Sequence, residues 1–218
     1  MGDSDEKGVW TRLRRRMATV QLMRRGIDDQ RVLQAMRAVP RHIFVPLELR
    51  SDAYADMPLP IGCDQTISQP YIVARMTELL QLTRTDTVLE VGTGSGYQAA
   101  VLAFLARRVF TIECIPELAK AATERLHTLK VKNVVVLPGD GGAGLPQHAP
   151  FSAILVSAAA PRVPSPLLRQ LADGGRLVAP VGPRHNERLQ YWVKQGARCK
   201  SKTLAPVRFV PLTGKWGR

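Results

Sequence analysis

Val88-Leu89-Glu90-Val91-Gly92-Thr93-Gly94-Ser95-Gly96 decides the fold of this chain. An apolar run of strand length passes into three glycines at alternating positions. Residues 97–106, Tyr-Gln-Ala-Ala-Val-Leu-Ala-Phe-Leu-Ala, then read as a helix, so the unit is strand, tight turn, helix. Glycine in such a turn lets backbone approach a ligand without a Cβ in the way.

A dinucleotide-binding loop spaces its glycines G-x-G-x-x-G, the third allowing close contact of helix and strand. Here the third glycine comes one residue early, and Tyr97 stands where the last one belongs. Glu90, two residues before Gly92, would repel a pyrophosphate but suits the ammonium of an amino-acid moiety. S-adenosylmethionine carries that ammonium and no phosphate.

Two more acids fall where its other end requires them. Arg108-Val-Phe-Thr-Ile-Glu113 reads as a strand ending in Glu113, roughly 20 residues past the first glycine, where an acid accepts ribose hydroxyls. Asn133-Val-Val-Val-Leu137 leads into Gly139-Asp140-Gly141, whose carboxylate suits the adenine amino group. Each feature has a plain alternative, a tight turn at 92–96 and exposed caps at Glu113 and Asp140. Three strand-end acids in register favour the ligand reading.

The 218 residues suit one α/β unit. Strand-like and helical runs alternate from Thr87 to Val181, which predicts a mostly parallel sheet covered by helices on both faces, followed by antiparallel strands at 189–193 and 207–210. Residues 1–10 are expected to be disordered, 11–65 to form an N-terminal helical cap and connector, 66–181 the cofactor-binding core, and 182–218 the C-terminal strands. In the cap, helices over 11–25 and from Asp28 or Asp29 to near Pro40 are expected, with Gly26 as a C-cap. Residues 41–65 hold several prolines and no helical period, so they read as an irregular connector. A third helix is expected to start at Thr66-Ile67-Ser68-Gln69-Pro70, with Ser68 as its N-cap.

Charge and composition exclude other classes. The net charge of +13 is uneven: residues 1–50 contribute +5, residues 51–180 balance, and residues 181–218 contribute +8. Basic flanks attract acidic peptides or nucleic acid, yet solvated basic faces are the commoner reading, and nucleic acid is not an expected partner. No run approaches ~18 apolar residues, and the first residues lack a signal-peptide core, so neither a membrane span nor secretion is expected. Cys63, Cys114 and Cys199 are odd in number and scattered, which fits a reduced, cytoplasmic protein; neither they nor the four isolated histidines suggest a metal. A monomer is expected.

The segment after the fourth core strand, Ser157-Ala158-Ala159-Ala160-Pro161, faces the ligand crevice in sheets of this kind. It has no Asn or Asp followed by prolines and an aromatic, the arrangement that grips a base amine, so methylation of nucleic-acid amines is disfavoured. Three alanines instead leave room for main chain, whose groups can bond a peptide as an added strand does.

Over residues 17–213 the chain resembles the protein-L-isoaspartate O-methyltransferases. The resemblance is carried by Val39-Pro-Arg-His-Ile-Phe-Val-Pro46, Pro58-Leu-Pro-Ile-Gly62, Gln65-Thr-Ile-Ser-Gln-Pro-Tyr71, residues 88–100, Ala158-Ala-Ala-Pro161 and Pro206-Val-Arg-Phe-Val-Pro-Leu212. Gln-Thr-Ile-Ser-Gln-Pro is far more specific than the glycine loop. The resemblance implies a Rossmann-like methyltransferase sheet and transfer of methyl from S-adenosyl-L-methionine to the α-carboxylate of isoaspartyl residues in damaged proteins and peptides, with S-adenosyl-L-homocysteine as product. The ester then cyclises to a succinimide that reopens partly as aspartate. It further implies Ser68 as the catalytic residue, orienting the carboxylate by a hydrogen bond. Thr66, Glu90, Gly92, Thr93, Gly94, Ser95, Gly96, Glu113, Asp140, Gly141 and Thr213 would bind the cofactor, and Ile67, Ser68, Ala158, Ala159 and Ala160 the substrate.

Three departures from the family pattern stand out: Asp64 for a glycine, Cys114 for a basic residue or histidine, and Gly142-Ala143 for bulkier residues. An added carboxylate at Asp64 would oppose an acidic substrate. Two other readings therefore stay open, a low-activity paralogue serving as a binding module and an RNA or small-molecule methyltransferase.

Overall fold

The computed structural model describes the backbone of residues 3–217 and the side chains of residues 8–217. Nine strands and six α-helices are found among them. Helix α1 (Asp3–Arg16) runs on through a wider turn at Met17–Leu22 and a tight one at Met23–Arg25. It stops at Gly26, whose left-handed φ of 83° ends the helix as expected. The helix thus begins at Asp3, before the expected start at residue 11; residues 1–2 lie outside the described residues. Helix α2 (Gln30–Ala38) is capped by Asp29, which accepts from the Arg31 amide at 2.8 Å.

The connector is more ordered than its prolines suggest. It holds two short 3-10 helices, Arg41–Phe44 and Leu47–Asp52, and strand β1 (Leu59–Gly62), which pairs antiparallel with β2 (Gln65–Ile67). Arg41 is fully buried there, donating to the Ala53 carbonyl at 2.8 Å with its guanidinium 5.0 Å from the Tyr97 ring centre. Helix α3 (Pro70–Leu79) therefore starts later than expected, with Gln69 and not Ser68 at its N-cap. Residues 65–67 are spent on the ribbon, whose partner strand the local helical reading could not see.

The main sheet contains β3 (Thr87–Val91), β4 (Arg108–Glu113), β5 (Val134–Pro138), β6 (Phe151–Val156), β7 (Leu171–Val181), β8 (Glu187–Gln195) and β9 (Arg198–Val207). Its order is β5-β4-β3-β6-β7-β8-β9; the first five are parallel and the last two antiparallel. The late strand expected at 207–210 is displaced: β9 ends at Val207.

Alternate residues of β3 feed two cores. Val88 joins the N-terminal helices, α3 and α4 (Tyr97–Leu105), while Leu89 and Val91 join Phe110, Ile154 and Leu167 on the other face. Helix α5 (Pro116–Thr128) backs the first core and α6 (Ser165–Arg169) the second. Truncating a fully buried residue such as Leu89 to alanine costs about 2–5 kcal/mol at sites of this kind. The chain leaves β3 toward β4 and β5, then crosses back to place β6 on the other side. A crevice opens at the carboxyl end of β3, the switch point where such sheets bind ligands.

Candidate active site

At that switch point the loop after β3 folds against the end of β4. The amides of Gly92 and Thr93 both donate to the Ile112 carbonyl, at 2.9 and 3.2 Å, and the Thr93 hydroxyl meets that of Thr111 at 2.7 Å. Gly94 donates its amide to Glu113 Oε2 at 2.8 Å. Gly96 has a φ of 89°, and a Cβ there would lie 3.3 Å from Ala122 Cβ of α5, so glycine lets the two helices close on the loop.

Two carboxylates face this loop and differ in kind. Glu113 accepts from Gly94 and, through Oε1, from the Ile115 amide at 3.1 Å, which fixes its orientation. Glu90 is completely buried, and neither of its oxygens meets full hydrogen-bond geometry, even with the nearby Thr111 hydroxyl. Burial pushes its carboxyl up to about 8; the Thr111 hydroxyl offsets part of that and the Glu113 charge adds to it. A buried acid left without a full hydrogen bond in a cavity wall asks for a cationic donor from outside. The ammonium of an amino-acid moiety meets that demand, so these residues fit S-adenosylmethionine.

One chamber collects most of the expected residues. Its donor side is lined by Glu90, Gly92, Thr93, Gly94, Ser95 and Glu113. Thr66, Ile67, Ser68, Ala158, Gly141 and Thr213 complete the wall. The Ser68 hydroxyl makes no hydrogen bond to any described residue. Thr66, Ser68, Ser157 and Val210 also line an open groove that leads away from the chamber.

Four expected residues do not line the chamber. Gly96 acts behind it. Asp140 uses Oδ1 to accept from the Gly142 amide at 2.9 Å and Oδ2 to accept from the Lys215 amide at 3.1 Å. Ala159 donates its amide to the Val210 carbonyl and accepts from the Leu212 amide, both at 2.8 Å. Ala160 is bonded likewise to Pro180 and Gly182. The main-chain groups of Ala159 are thus engaged by this chain's own C-terminal segment, and those of Ala160 by the end of β7.

The departures acquire physical reasons. Asp64 sits at the exposed turn between β1 and β2 with a φ of 55°, a conformation Asp tolerates better than most residues, and it does not line the chamber. Cys114 Sγ lies 3.2 Å from Thr213 Oγ1, joining the end of β4 to the C-terminal segment. Gly142 makes room for an indole, since a Cβ there would fall 2.7 Å from Trp216 Cβ. Ser157, which the sequence placed in the crevice-facing segment without a role of its own, also lines the chamber; sequence reasoning missed residues 210–212, which reach the chamber only through the tertiary fold.

Comparisons with known proteins agree with this geometry. Residues 14–217 match the family model described as protein-L-isoaspartate(D-aspartate) O-methyltransferase. Protein-L-isoaspartate O-methyltransferase 1 of Syntrophobacter fumaroxidans is 56% identical over 204 residues, covering 94% of this chain and 95% of that protein. The Methanoregula boonei protein-L-isoaspartate O-methyltransferase is 54% identical over 204 residues, covering 94% of each. Among solved structures, a protein-L-isoaspartate O-methyltransferase superposes with a TM-score of 0.85 at 27% identity, over 93% of this chain and 67% of that one. A Plasmodium falciparum structure described as a beta-aspartate methyltransferase in complex with S-adenosyl-L-homocysteine gives 0.79 at 25% identity, over 92% and 98%.

Proposed function

The chain belongs to the protein-L-isoaspartate(D-aspartate) O-methyltransferase family, and on that premise we propose that it methylates the α-carboxylate of isoaspartyl residues in damaged proteins and peptides. S-adenosylmethionine, when bound, supplies the electrophilic methyl group. Glu90 holds the cationic end of this donor, Glu113 accepts its ribose hydroxyls, and the backbone at 92–95 allows close approach.

The observation that carries the reading is the free Ser68 hydroxyl at the junction of chamber and groove. A carboxylate with a pKa near ~4 is ionised at neutral pH, so the acceptor needs orientation and no general base. Ser68 donates a hydrogen bond that aims one carboxylate oxygen into the chamber. Such alignment contributes ~7–11 kcal/mol to lowering the barrier in favourable cases. A monomer is the expected state, and the three free cysteines suit a reducing, cytoplasmic setting. Among the described residues, no helix is long and apolar enough to cross a membrane.

The test is tritiated methyl transfer to an isoaspartyl peptide, its aspartyl twin and bulk RNA. Transfer to the isoaspartyl peptide alone supports the proposal. Equal labelling of the twin, or labelling of RNA, overturns it.

A further inference from the structure

Any isoaspartyl acceptor is part of a longer chain, so residues flanking it have to leave the chamber. The groove sharing Thr66, Ser68, Ser157 and Val210 with the chamber is the exit that begins at the catalytic serine, and it encloses about 420 Å³. Pro58, Gln69 and Ile72 form one wall; residues 206–210 and His185 form the other. Apolar surface from Ile72, Val207 and Phe209 accepts side chains of many kinds and selects few of them.

Charge in the groove is one-sided. Among the described residues, Arg208 and His185 are the only ionisable ones lining it, and none of those lining it is an acid. Arg208 is exposed and forms no ion pair or hydrogen bond with any described residue. On the Pro58 side, Asp56 is already paired with Arg25. The C-terminal stretch that supplies Arg208 and His185 is also the most basic part of the chain, at +8 over residues 181–218.

Resting on the functional reading above, we propose that Arg208, assisted by His185, makes this groove a subsite for acidic side chains, so that isoaspartyl residues flanked by Asp or Glu are the preferred substrates. A guanidinium is charged at all working pH values and presents several donors in a planar fork that matches a carboxylate. In a partly exposed groove its attraction to such a side chain is screened by salt.

The experiment compares kcat/KM for isoaspartyl peptides that differ only in carrying Glu, Gln or Lys beside the damaged residue. At low ionic strength the Glu peptide is expected to exceed the Lys peptide roughly 5- to 20-fold, with Gln between, and the ratio to shrink as salt is raised. Arg208→Gln brings the Glu/Lys ratio to within about twofold, whereas Arg208→Lys keeps most of it. Equal kcat/KM for all three peptides, or a ratio that survives Arg208→Gln, overturns the subsite while leaving the functional reading intact. Failure of every isoaspartyl peptide to accept methyl overturns both.

Discussion

The Glu113 carboxylate accepts a hydrogen bond from the Gly94 amide at 2.8 Å, which ties the last residue of β4 to the middle of the glycine loop after β3. A second bond from the Ile115 amide leaves this carboxylate little freedom to turn. On the proposed reading, the same group that shapes the loop also accepts the ribose hydroxyls of the methyl donor.

Glu113→Ala leaves both amides without this acceptor. Hydrogen bonds to a charged group contribute about 1.5–3 kcal/mol each, so a drop in melting temperature is expected together with a roughly 10-fold or greater loss of S-adenosylhomocysteine affinity. Scanning fluorimetry and isothermal titration check both; unchanged affinity would remove Glu113 from the site.

Glu90 predicts a pH dependence with opposite signs for stability and binding. Its folded-state value, about 8, lies above the ordinary 4.5, so between these values the folded chain keeps a proton that the unfolded chain gives up. Stability of the unliganded protein from this group is full below about 4.5, falls through the window by at most about 1.4 kcal/mol per pH unit, and levels off above about 8. A cationic amino group needs the ionised form, so S-adenosylhomocysteine affinity rises from pH 6 to pH 8 and binding releases a proton. Glu90→Gln should remove this contribution to the stability slope and the proton release and weaken binding. Denaturant titrations over pH and calorimetry in buffers of different ionisation enthalpy read these effects.

Gly142→Leu drives a side chain into Trp216. The indole has to move, and with it the segment that gives its Lys215 amide to Asp140 and places Thr213 in the chamber wall. A loss of about 1–3 kcal/mol in stability is expected from such overpacking, with a red-shifted tryptophan emission. Adding Trp216→Ala should recover part of the stability; no recovery would mean that the two residues do not conflict.

Much of this was legible in the residues because the fold and the donor site are local. The strand-loop-helix at 88–105, the acids at Glu90 and Glu113, and the caps at Gly26 and Asp29 are each fixed by neighbours a few positions away. Ser68 was recognisable from its flanking motif, but its helix-cap role was not correct, because β1 draws residues 65–67 into a ribbon. The partners of Asp140 and Ala159 were not legible: the C-terminal segment returns to bond them, and a contact across about 50 to 75 positions leaves no periodic trace in the sequence.

In the proposed function the chamber has a donor side built by the glycine loop and an acceptor side built around Ser68. The most direct test measures kcat on one isoaspartyl peptide and the S-adenosylhomocysteine dissociation constant for Ser68→Ala beside the parent enzyme. The account predicts a dissociation constant within about twofold and a kcat reduced roughly 100-fold or more, the scale expected when a reacting group is misplaced. An unchanged kcat, or a loss of activity matched by an equal loss of ligand binding, would contradict it.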